Sequence, residues 1–221
     1  NCRFCSVAQG PTGPPDPDEP ARVADAVRQM ALKYVVITSV TLDHLADGGA
    51  SYFAKTIIEI RRQIPAALIE VLIPDFQGEA DALQTVLNAR PNVLNHNIET
   101  VPRMYTLVRP QARYQRSLHL LERVRSFNPK IPTKSGLMLG LGETSAEIRS
   151  TLNDLVDVGC RMLTLGQYLQ PSKAHLPVKR FKQLDEFDQW PRTAIKMGFA
   201  EVASGPFVRS WGPVEISGVR A

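Results

Sequence analysis

The sequence predicts an α/β protein built as a full or partial parallel β/α barrel. Short, apolar, β-branched segments alternate with amphipathic helical segments along the chain, which is typical of a parallel sheet. Polar residues collect where the predicted strands end, as they do at the carboxyl-terminal face of a barrel. No glycine-rich dinucleotide fingerprint follows any strand, and this disfavours a doubly wound sheet.

The predicted elements follow a proline-rich stretch in a regular order. Residues 10–20 contain five prolines and two glycines, which predicts a loop. The segment YVVITSV at residues 34–40 is apolar and β-branched, as a buried parallel strand is. We predict strands at 34–40, 68–73, 93–97, 134–141 and 162–168. Apolar residues at helical spacing predict helices at 19–32, 50–63, 79–87, 101–107, 117–126, 144–158 and 184–197.

Two local signals refine the helices. Thr144 and Glu147 form a capping-box pattern, in which a hydroxyl and a carboxylate satisfy the first free N–H groups of a helix. Pro191 interrupts the last helical pattern. We expect it to kink or split that helix, because proline has no N–H to donate.

The composition excludes several classes of protein. The chain has 221 residues, 43% of them apolar and 22% charged, which suits one globular domain with a substantial core. No apolar run approaches the roughly 20 residues that cross a bilayer, so we expect no membrane association. The net charge of +4 comes from scattered Lys and Arg, which disfavours nucleic acid and is compatible with an acidic partner protein. Three cysteines do not make a disulfide scaffold, and Cys160 is predicted to be a buried, inert thiol.

The main chemical signal is the pair Cys2 and Cys5 in the opening segment NCRFC. A Cys-x2-Cys pair fits half of a zinc site, a redox dithiol or part of an iron–sulfur site. The four histidines are dispersed without paired ligand spacing, and a proline-rich loop follows where a redox dithiol usually begins a helix. These residues alone leave the three interpretations open. A [4Fe–4S] cluster held by three cysteines would keep one iron free for another ligand.

A second signal lies on the predicted strand at residues 93–97 and just beyond it. Asn95, Asn97 and Glu99 alternate with apolar neighbours, and period-two spacing places all three on one face. Polar side chains that face a barrel interior need hydrogen-bond partners, which a polar ligand or, alternatively, a polar core network would supply. His96 would point the other way and is expected to be structural.

Longer motifs indicate a family. In chain order, NCRFC, SVAQG, TSV, DGGA, NHNIETVPRMY, VRPQARYQRSL, KSGLMLGLGET and GQYLQPS resemble the lipoyl synthase family of radical S-adenosylmethionine (SAM) enzymes. The resemblance implies a radical SAM core over residues 1–209, a partial barrel with its first strand missing, and a divergent tail over 210–221. Cys2 and Cys5 match the last two cysteines of the family signature Cys-x3-Cys-x2-Cys. We therefore expect the first cysteine to precede Asn1, and this chain alone to be inactive.

The resemblance also implies a reaction. Two sulfur atoms would be inserted at carbons 6 and 8 of a protein-bound octanoyl group. The expected cofactors are SAM and, in the complete protein, two [4Fe–4S] clusters, of which the auxiliary one is consumed as the sulfur donor. The expected partners are octanoylated lipoyl carrier domains of 2-oxoacid dehydrogenases or the glycine cleavage H protein, and an electron donor such as ferredoxin or flavodoxin. The expected location is the bacterial cytoplasm, or the mitochondrion in a eukaryote.

Site residues are carried over from the family position by position. Cys2 and Cys5 are expected to hold the SAM-binding cluster, Ser210 to hold the auxiliary cluster, and Phe4 to pack beside the cluster or adenine. The residues expected to bind SAM are Asp47, Gly48, Gly49, Asn95, Asn97, Glu99, Ser135 and Gln167. A carboxylate with flexible glycines suits an ammonium group, although a turn leading into a helix needs the same residues. The resemblance places near the mouth of the site Arg109, Arg113 and Tyr114.

The chain departs from the family at two places. The segment LDH at residues 42–44 stands where the family has Arg-Asp-Asp, and the resemblance ends at Trp211. Three alternatives to a lipoyl synthase follow from the sequence: an enzyme resembling biotin synthase, a non-catalytic fragment or pseudoenzyme that only docks lipoyl carrier domains, and a zinc-binding module. The segment NHNIETVPRMY argues against the first of these.

Overall fold

The computed structural model describes residues 2–7, 13–40 and 42–209. Six parallel strands form one sheet in the order of the sequence. The strands are β1 Tyr34–Thr38, β2 Leu68–Leu72, β3 Val93–Asn95, β4 Thr133–Leu139, β5 Met162–Gln167 and β6 Glu201–Gly205. Among the described residues β1 pairs only with β2 and β6 only with β5, so the sheet is an open, partial barrel. The predicted fold class is therefore confirmed.

One helix precedes β1, the others connect successive strands, and they pack on the outer face of the sheet. They are α1 Glu19–Gln29, α2 Ala50–Gln63, α3 Ala80–Asn88, α4 Tyr105–Val108, α5 Tyr114–Phe127, α6 Ser145–Asp157 and α7 Leu184–Met197. Ile57 and Ile60 of α2 share one buried hydrophobic core with Ile69 and Val71 of β2. Burial of each such side chain contributes about 1.5–3 kcal/mol. Within the described ranges, no helix has both the length and the apolar character that crossing a membrane requires.

The ends of the sheet differ from the prediction. Strand β6, Glu201–Gly205, was not predicted, because its residues are half-buried along its whole length and carry no alternating pattern. Strand β3 ends at Asn95, two residues before the predicted end at Asn97. By contrast, the predicted helices at 50–63 and 184–197 have the bounds observed for α2 and α7.

Helix α7 continues through Pro191, so the expected split is wrong. The buried side chains of Phe187, Trp190 and Ala194 lie on both sides of the proline and hold both halves of the helix on the core. Their burial outweighs the roughly 3 kcal/mol that an interior proline costs.

The capping box that begins α6 is confirmed. The Thr144 hydroxyl accepts a hydrogen bond from the backbone N–H of Glu147 at 3.2 Å, and the Glu147 carboxylate accepts one from the Thr144 N–H at 2.8 Å. Arg103 also pairs with Glu147 at 2.6 Å. This ion pair, together with the cap, lowers the pKa of Glu147 to about 2.

A buried ion pair fills part of the inner face of the sheet. Lys134 Nζ of β4 lies 3.0 Å from Glu70 Oε1 of β2, and both side chains are fully buried. Asn95 Nδ2 donates to the same carboxylate at 2.8 Å, and the Tyr34 hydroxyl donates to it as well. Four strands are thus joined through one carboxylate. The cost of burying both charges offsets much of their attraction, but either charge without its partner is strongly unfavourable.

We expect Lys134→Met to lower the free energy of unfolding by about 3–5 kcal/mol, because it leaves the Glu70 carboxylate buried without a cation. Urea unfolding followed by circular dichroism measures this change. Adding Glu70→Gln to Lys134→Met is expected to recover much of the loss. Lys130→Met, at an exposed lysine, is the control and is expected to change stability by less than about 0.5 kcal/mol. Equal stabilities of the Lys134 and Lys130 variants would contradict the role given to the pair.

Candidate active site

A cavity of about 1,320 Å³ opens at the carboxyl-terminal ends of the strands. The start of the chain and the segments that follow several strands line it together. Among its lining residues are Cys2, Phe4, Cys5, Ser39, His44, Gly49, Asn97, Glu99, Arg109 and Gln167. In parallel barrels the loops that follow the strands meet at one face, and this brings distant segments of the sequence together.

The thiol loop, residues 2–7, is held above the sheet by hydrogen bonds to two other segments. The Arg3 N–H donates to the Val108 carbonyl at 3.0 Å, and the Leu176 N–H donates to the Arg3 carbonyl at 3.1 Å. His175 Nε2 donates to the Cys5 carbonyl at 3.0 Å. The segments after β3 and β5 therefore fix the position of both cysteines of the loop.

Cys2 and Cys5 are free, half-buried thiols that line the cavity. Cys160 differs from them: it is fully buried, as expected, and burial raises the pKa of its thiol to about 12. Within the described ranges no three His, Cys, Asp or Glu side chains are grouped so that they could hold a metal ion. Cys2 and Cys5 are thus two soft donor groups at the cavity wall, and the described residues place no third cysteine beside them.

Arg109 borders the thiol loop at the cavity wall. Its Nη1 donates to the carbonyls of Asn97 at 3.0 Å and Ile98 at 3.3 Å, and its guanidinium lies 5.6 Å from the centroid of the Tyr105 ring. Its Nε has no hydrogen-bond partner among the described residues. The side chain is therefore fixed in place with one buried donor left for a ligand.

Glu99 and Asn97 carry the polar groups next to Arg109. Asn97 Nδ2 donates to Glu99 Oε1 at 3.1 Å. Burial raises the pKa of Glu99, although Arg109 and Asn97 partly oppose this shift. Burial lowers the pKa of Arg109, but Tyr105, Glu99 and Cys2 more than compensate, and the net shift is upward. A carboxylate and a guanidinium on one wall suit a ligand that carries both an ammonium and a carboxylate group.

The backbone turns sharply to bring Glu99 into the cavity. After β3 ends at Asn95, the chain pairs with β4 again at Glu99, whose N–H donates to the Gly136 carbonyl at 2.9 Å and whose carbonyl accepts from the Met138 N–H at 2.9 Å. The φ of Glu99 is +66°, in the left-handed region that residues other than glycine rarely adopt. Such conformations persist where the surrounding structure fixes them, and they concentrate at functional sites.

Asn95 and Ser135 do not line the cavity. Both side chains are fully buried: Asn95 joins the Glu70 network, and Ser135 Oγ accepts a hydrogen bond from the Ile98 N–H at 3.2 Å. Asn95 thus lies in a polar network on the inner face of the sheet, and of the three polar residues only Asn97 and Glu99, beyond the end of the strand, reach the cavity.

The segment Asp47-Gly48-Gly49 forms the turn that begins α2. Asp47 accepts hydrogen bonds from the N–H groups of Gly49 at 3.0 Å and Ser51 at 2.8 Å. Burial raises the pKa of Asp47, but these bonds outweigh it and the net shift is downward. Gly49 has a φ of +88°, and a Cβ there would lie 2.6 Å from Leu42 Cδ1. Of the three residues only Gly49 lines the cavity.

Gln167 lies at the cavity wall with its amide bound to the protein. Its Nε2 donates to the carbonyls of Tyr168 at 3.0 Å and Arg180 at 3.1 Å, and its Oε1 accepts from the Lys182 N–H at 2.9 Å. A Cβ at Gly140 would lie only 2.3 Å from Nε2, so the glycine makes room for this arrangement. The bonds to Arg180 and Lys182 anchor the segment before α7, and the bond to Tyr168 uses the remaining donor of the amide.

Seven of the predicted site residues line the cavity: Cys2, Phe4, Cys5, Gly49, Asn97, Glu99 and Gln167. Four do not: Asp47, Gly48, Asn95 and Ser135. Ser210 lies outside the described residues. Sequence reasoning did not select several lining residues, among them Ser39, Thr164, Gly166 and Arg209. Thr164 and Gly166 alternate along β5, and this period-two spacing was the signal that could have found them.

Comparison with known proteins identifies the family of this chain. The family model described as the radical SAM superfamily matches residues 1–155. The lipoyl synthase of Desulfotalea psychrophila is 58% identical over 210 residues, which are 95% of this chain and 70% of that protein. The lipoyl synthase of Caldanaerobacter subterraneus subsp. tengcongensis is 52% identical over 95% of this chain and 74% of that protein. The chain belongs to the lipoyl synthase family. At this identity a biotin synthase-like enzyme, a docking-only pseudoenzyme and a zinc module are not favoured.

Solved structures agree with the lipoyl synthase family on the fold. HydG, a maturase of the [FeFe]-hydrogenase, superposes with a TM-score of 0.71 at 15% identity, over 91% of this chain and 48% of that one. Streptococcus suis SuiB bound to S-adenosylmethionine superposes with a TM-score of 0.69 at 10% identity, over 92% of this chain and 47% of that one. At such low identity these matches support the fold alone.

The departure from the lipoyl synthase pattern at residues 42–44 affects the cavity wall directly. The Leu42 side chain packs against Gly49 at the start of α2, and His44 lines the cavity. The Asp43 carbonyl accepts a hydrogen bond from Gln77 Nε2 at 3.3 Å. The segment thus brings an apolar group and an imidazole to the cavity. The second departure, from Trp211 onward, lies outside the described residues.

His96 lies behind the site and is held in the neutral form. Its Nδ1 donates to the Ile73 carbonyl at 2.9 Å, and its Nε2, 2.9 Å from Ser117 Oγ, accepts from that hydroxyl. Burial is the main cause that lowers the pKa of His96 to about 4, and the charge of Arg109 adds to the shift.

We expect His96 to make the protein sensitive to mild acid. The unfolded state takes up a proton near pH 6.5 and the folded state only near pH 4, so stability falls as the pH falls between these values. From pH 7.5 to pH 5 the loss is about 2 kcal/mol. Urea unfolding of the wild type and of His96→Gln at several pH values checks this, because the variant lacks that component of the pH dependence. His119→Gln, at an exposed histidine, is the control, and parallel curves for the wild type and His96→Gln would contradict the prediction.

Proposed function

We propose that this protein inserts two sulfur atoms at carbons 6 and 8 of a protein-bound octanoyl group and so forms the lipoyl cofactor. One observation carries the proposal: two free thiols, Cys2 and Cys5, share a cavity with the polar group of Asn97, Glu99 and Arg109. Membership of the lipoyl synthase family supports the same reaction.

The donor chemistry fits an iron–sulfur cluster at the thiol loop. Cys2 and Cys5 are free, half-buried thiols open to the cavity, and the Arg109 guanidinium lines the same cavity. They would provide two of the three thiolates that hold a [4Fe–4S] cluster with one open iron. When bound, the cluster together with SAM supplies the one-electron cleavage that produces a 5′-deoxyadenosyl radical. The protein's own contribution is to fix the thiols in place through the carbonyls of Arg3 and Cys5.

The polar wall fits SAM. Arg109 Nε is a buried donor without a partner among the described residues, and it would pair with the SAM carboxylate. Glu99 and Asn97 would bind ammonium or hydroxyl groups of the same ligand. The pKa of Glu99 is raised, which means that the neighbouring protein groups do not fully offset the cost of burying its ionised carboxylate. A cationic ligand would provide the missing attraction.

The apolar wall fits a fatty acyl chain. The cavity is lined by Phe4, Ile37, Phe53, Leu72, Leu137 and Met138. The octanoyl carbons that react carry no polar handle, so only shape and exclusion of water can place them. A volume of about 1,320 Å³ exceeds the range of about 300–1,000 Å³ typical for one ligand, which leaves room for SAM and an acyl chain together.

The octanoyl chain would be delivered on a lipoyl carrier domain of a 2-oxoacid dehydrogenase or on the glycine cleavage H protein. The cavity opens at the surface, as a substrate tethered to another protein requires. A ferredoxin or flavodoxin would supply the electron. A second [4Fe–4S] cluster would be the sulfur-donating substrate, with Ser210 as one of its ligands.

Anaerobic reconstitution of the full-length gene product tests the proposal. We expect SAM-dependent conversion of octanoylated H protein to the lipoylated form, detected by mass spectrometry. Cys2→Ser and Cys5→Ser are each expected to abolish SAM cleavage and to lower the bound iron by about four atoms per chain. Cys160→Ala, at the buried thiol, is the matched control and is expected to keep its iron and its electron paramagnetic resonance signal. Full iron content and turnover in Cys5→Ser would contradict the proposed role of the thiol loop.

A further inference from the structure

Four cationic side chains belong to the segments that surround the cavity mouth, although none of the four lines the cavity itself. We name Arg3, Arg113, Lys173 and Lys179 the basic lip. All four are exposed. Within the described part of the chain, no ion pair or side-chain hydrogen bond joins any of them to another residue. Their charge is therefore directed to solvent at the entrance of the cavity.

Backbone contacts bring the basic lip together from separate segments. The backbone of Arg3 bonds at 3.0 Å to the end of α4 and at 3.1 Å to the loop that follows β5 and carries Lys173. Arg113 lies between the end of α4 and the start of α5. The Lys179 N–H donates to the Gly140 carbonyl, just after β4, at 2.9 Å. The four charges thus lie on the segments that follow β3, β4 and β5, and Arg113 also lines a separate groove with Asp75 and Glu79.

Glu143, Glu147 and Glu186 do not neutralise the basic lip, because they already have other partners. Glu143 pairs with Lys182 at 3.4 Å, Glu147 with Arg103 at 2.6 Å, and Glu186 with Arg180 at 2.5 Å and with Lys182 at 4.0 Å. Each of these acids is matched by a cation outside the basic lip. The lip therefore keeps an excess of positive charge.

The opposite side of the cavity mouth carries negative charge. Asp18, Glu19 and Asp43 form an acidic lip, of which Glu19 and Asp43 line the cavity itself, whereas Asp16 nearby is paired with Arg22 at 2.6 Å. A partner with an acidic surface would be attracted to one lip and repelled by the other. Such an arrangement fixes the orientation of a docked protein and speeds its encounter.

Apolar side chains are exposed among the charges of the basic lip. Leu107 in α4 is 43% exposed, Leu169 after β5 is 41% exposed, and Phe181 near Lys179 is 62% exposed. Leu169 also lines the cavity. Apolar residues surrounded by charged ones are the usual composition of a protein–protein interface.

We propose that the basic lip is the docking surface for an acidic patch of the carrier protein next to its octanoyl-bearing lysine. This inference rests on the proposed function, because it assigns the face through which that substrate arrives. The carrier sits over the ends of β3, β4 and β5, and the acyl chain enters the cavity past Leu169. The acidic lip remains free of the carrier.

Charge reversal tests this surface. The lip variant is Arg113→Glu, Lys173→Glu and Lys179→Glu combined. The control variant combines Lys33→Glu, Lys130→Glu and Lys196→Glu, three exposed cations near the opposite ends of the strands, with the same change in net charge. The dissociation constant of the octanoylated carrier is measured by fluorescence anisotropy at about 20 mM and about 500 mM salt. Steady-state kinetics with dithionite as reductant compare the carrier with a short octanoyl-lysyl peptide that has no acidic residues.

We expect the lip variant to weaken carrier binding about tenfold or more at low salt, and the difference from the wild type to shrink at high salt. Its KM for the carrier is expected to rise in parallel, with kcat nearly unchanged. Turnover of the peptide is expected to be unaffected. The control variant is expected to change carrier binding less than about twofold.

Three outcomes would overturn the docking surface: unchanged carrier binding in the lip variant, equal loss in both variants, or a defect that appears only when flavodoxin replaces dithionite. The last outcome would assign the lip to the electron donor. A wild-type protein that binds the carrier through the lip and forms no lipoyl group supports the docking surface and contradicts the proposed function. The two failures are therefore distinguishable.

Discussion

The chemistry of the cavity depends on the hydrogen bonds that hold the thiol loop over the open end of the sheet. Residues 2–7 bury too little apolar surface to fix themselves, so contacts to other segments must place the two thiols. Arg3 bonds to the end of α4 and to the loop after β5, and His175 of that loop bonds to the Cys5 carbonyl. Arg109, at the end of α4, therefore meets the same loop. Segments more than a hundred residues apart in the sequence act on the two cysteines together.

Below the cavity, the inner face of the sheet is closed by polar side chains and not by apolar packing. Small parallel barrels usually fill their interior with branched apolar residues. Here Glu70 binds Lys134, Asn95 and Tyr34, and so connects β1 to β4. A polar network whose members satisfy one another is rigid and specifies one arrangement. It gives the cavity a fixed floor, and the carboxyl ends of the strands remain open for ligands.

Predictions from the sequence were right where they depend on a local pattern, and wrong where contacts between distant segments determine the structure. The bounds of α2 and α7 follow from helical periodicity, and the thiols of Cys2 and Cys5 were found from their spacing. The predicted strand end at Asn97 was wrong, because the chain leaves β3 after Asn95 and pairs again with β4 at a left-handed Glu99. Period-two reasoning assumes an unbroken strand and cannot detect this turn. Asp47 illustrates a further limit: a carboxylate before two glycines suits either a ligand or a turn that leads into a helix, and its hydrogen bonds show such a turn.

The two lips of the mouth connect this architecture to the delivery of a tethered substrate. An acyl chain alone gives little specificity, because one methylene in an apolar pocket is worth only about 1–3 kcal/mol. Recognition of the protein that carries the chain must supply the rest. An attractive basic lip next to a repulsive acidic lip selects one orientation, since a wrong approach meets like charge. Arg3 belongs to both the basic lip and the thiol loop. A carrier oriented by charge would therefore also present its acyl chain beside Cys2 and Cys5. The contacts that fix the thiol loop therefore also fix part of the surface that would receive the substrate.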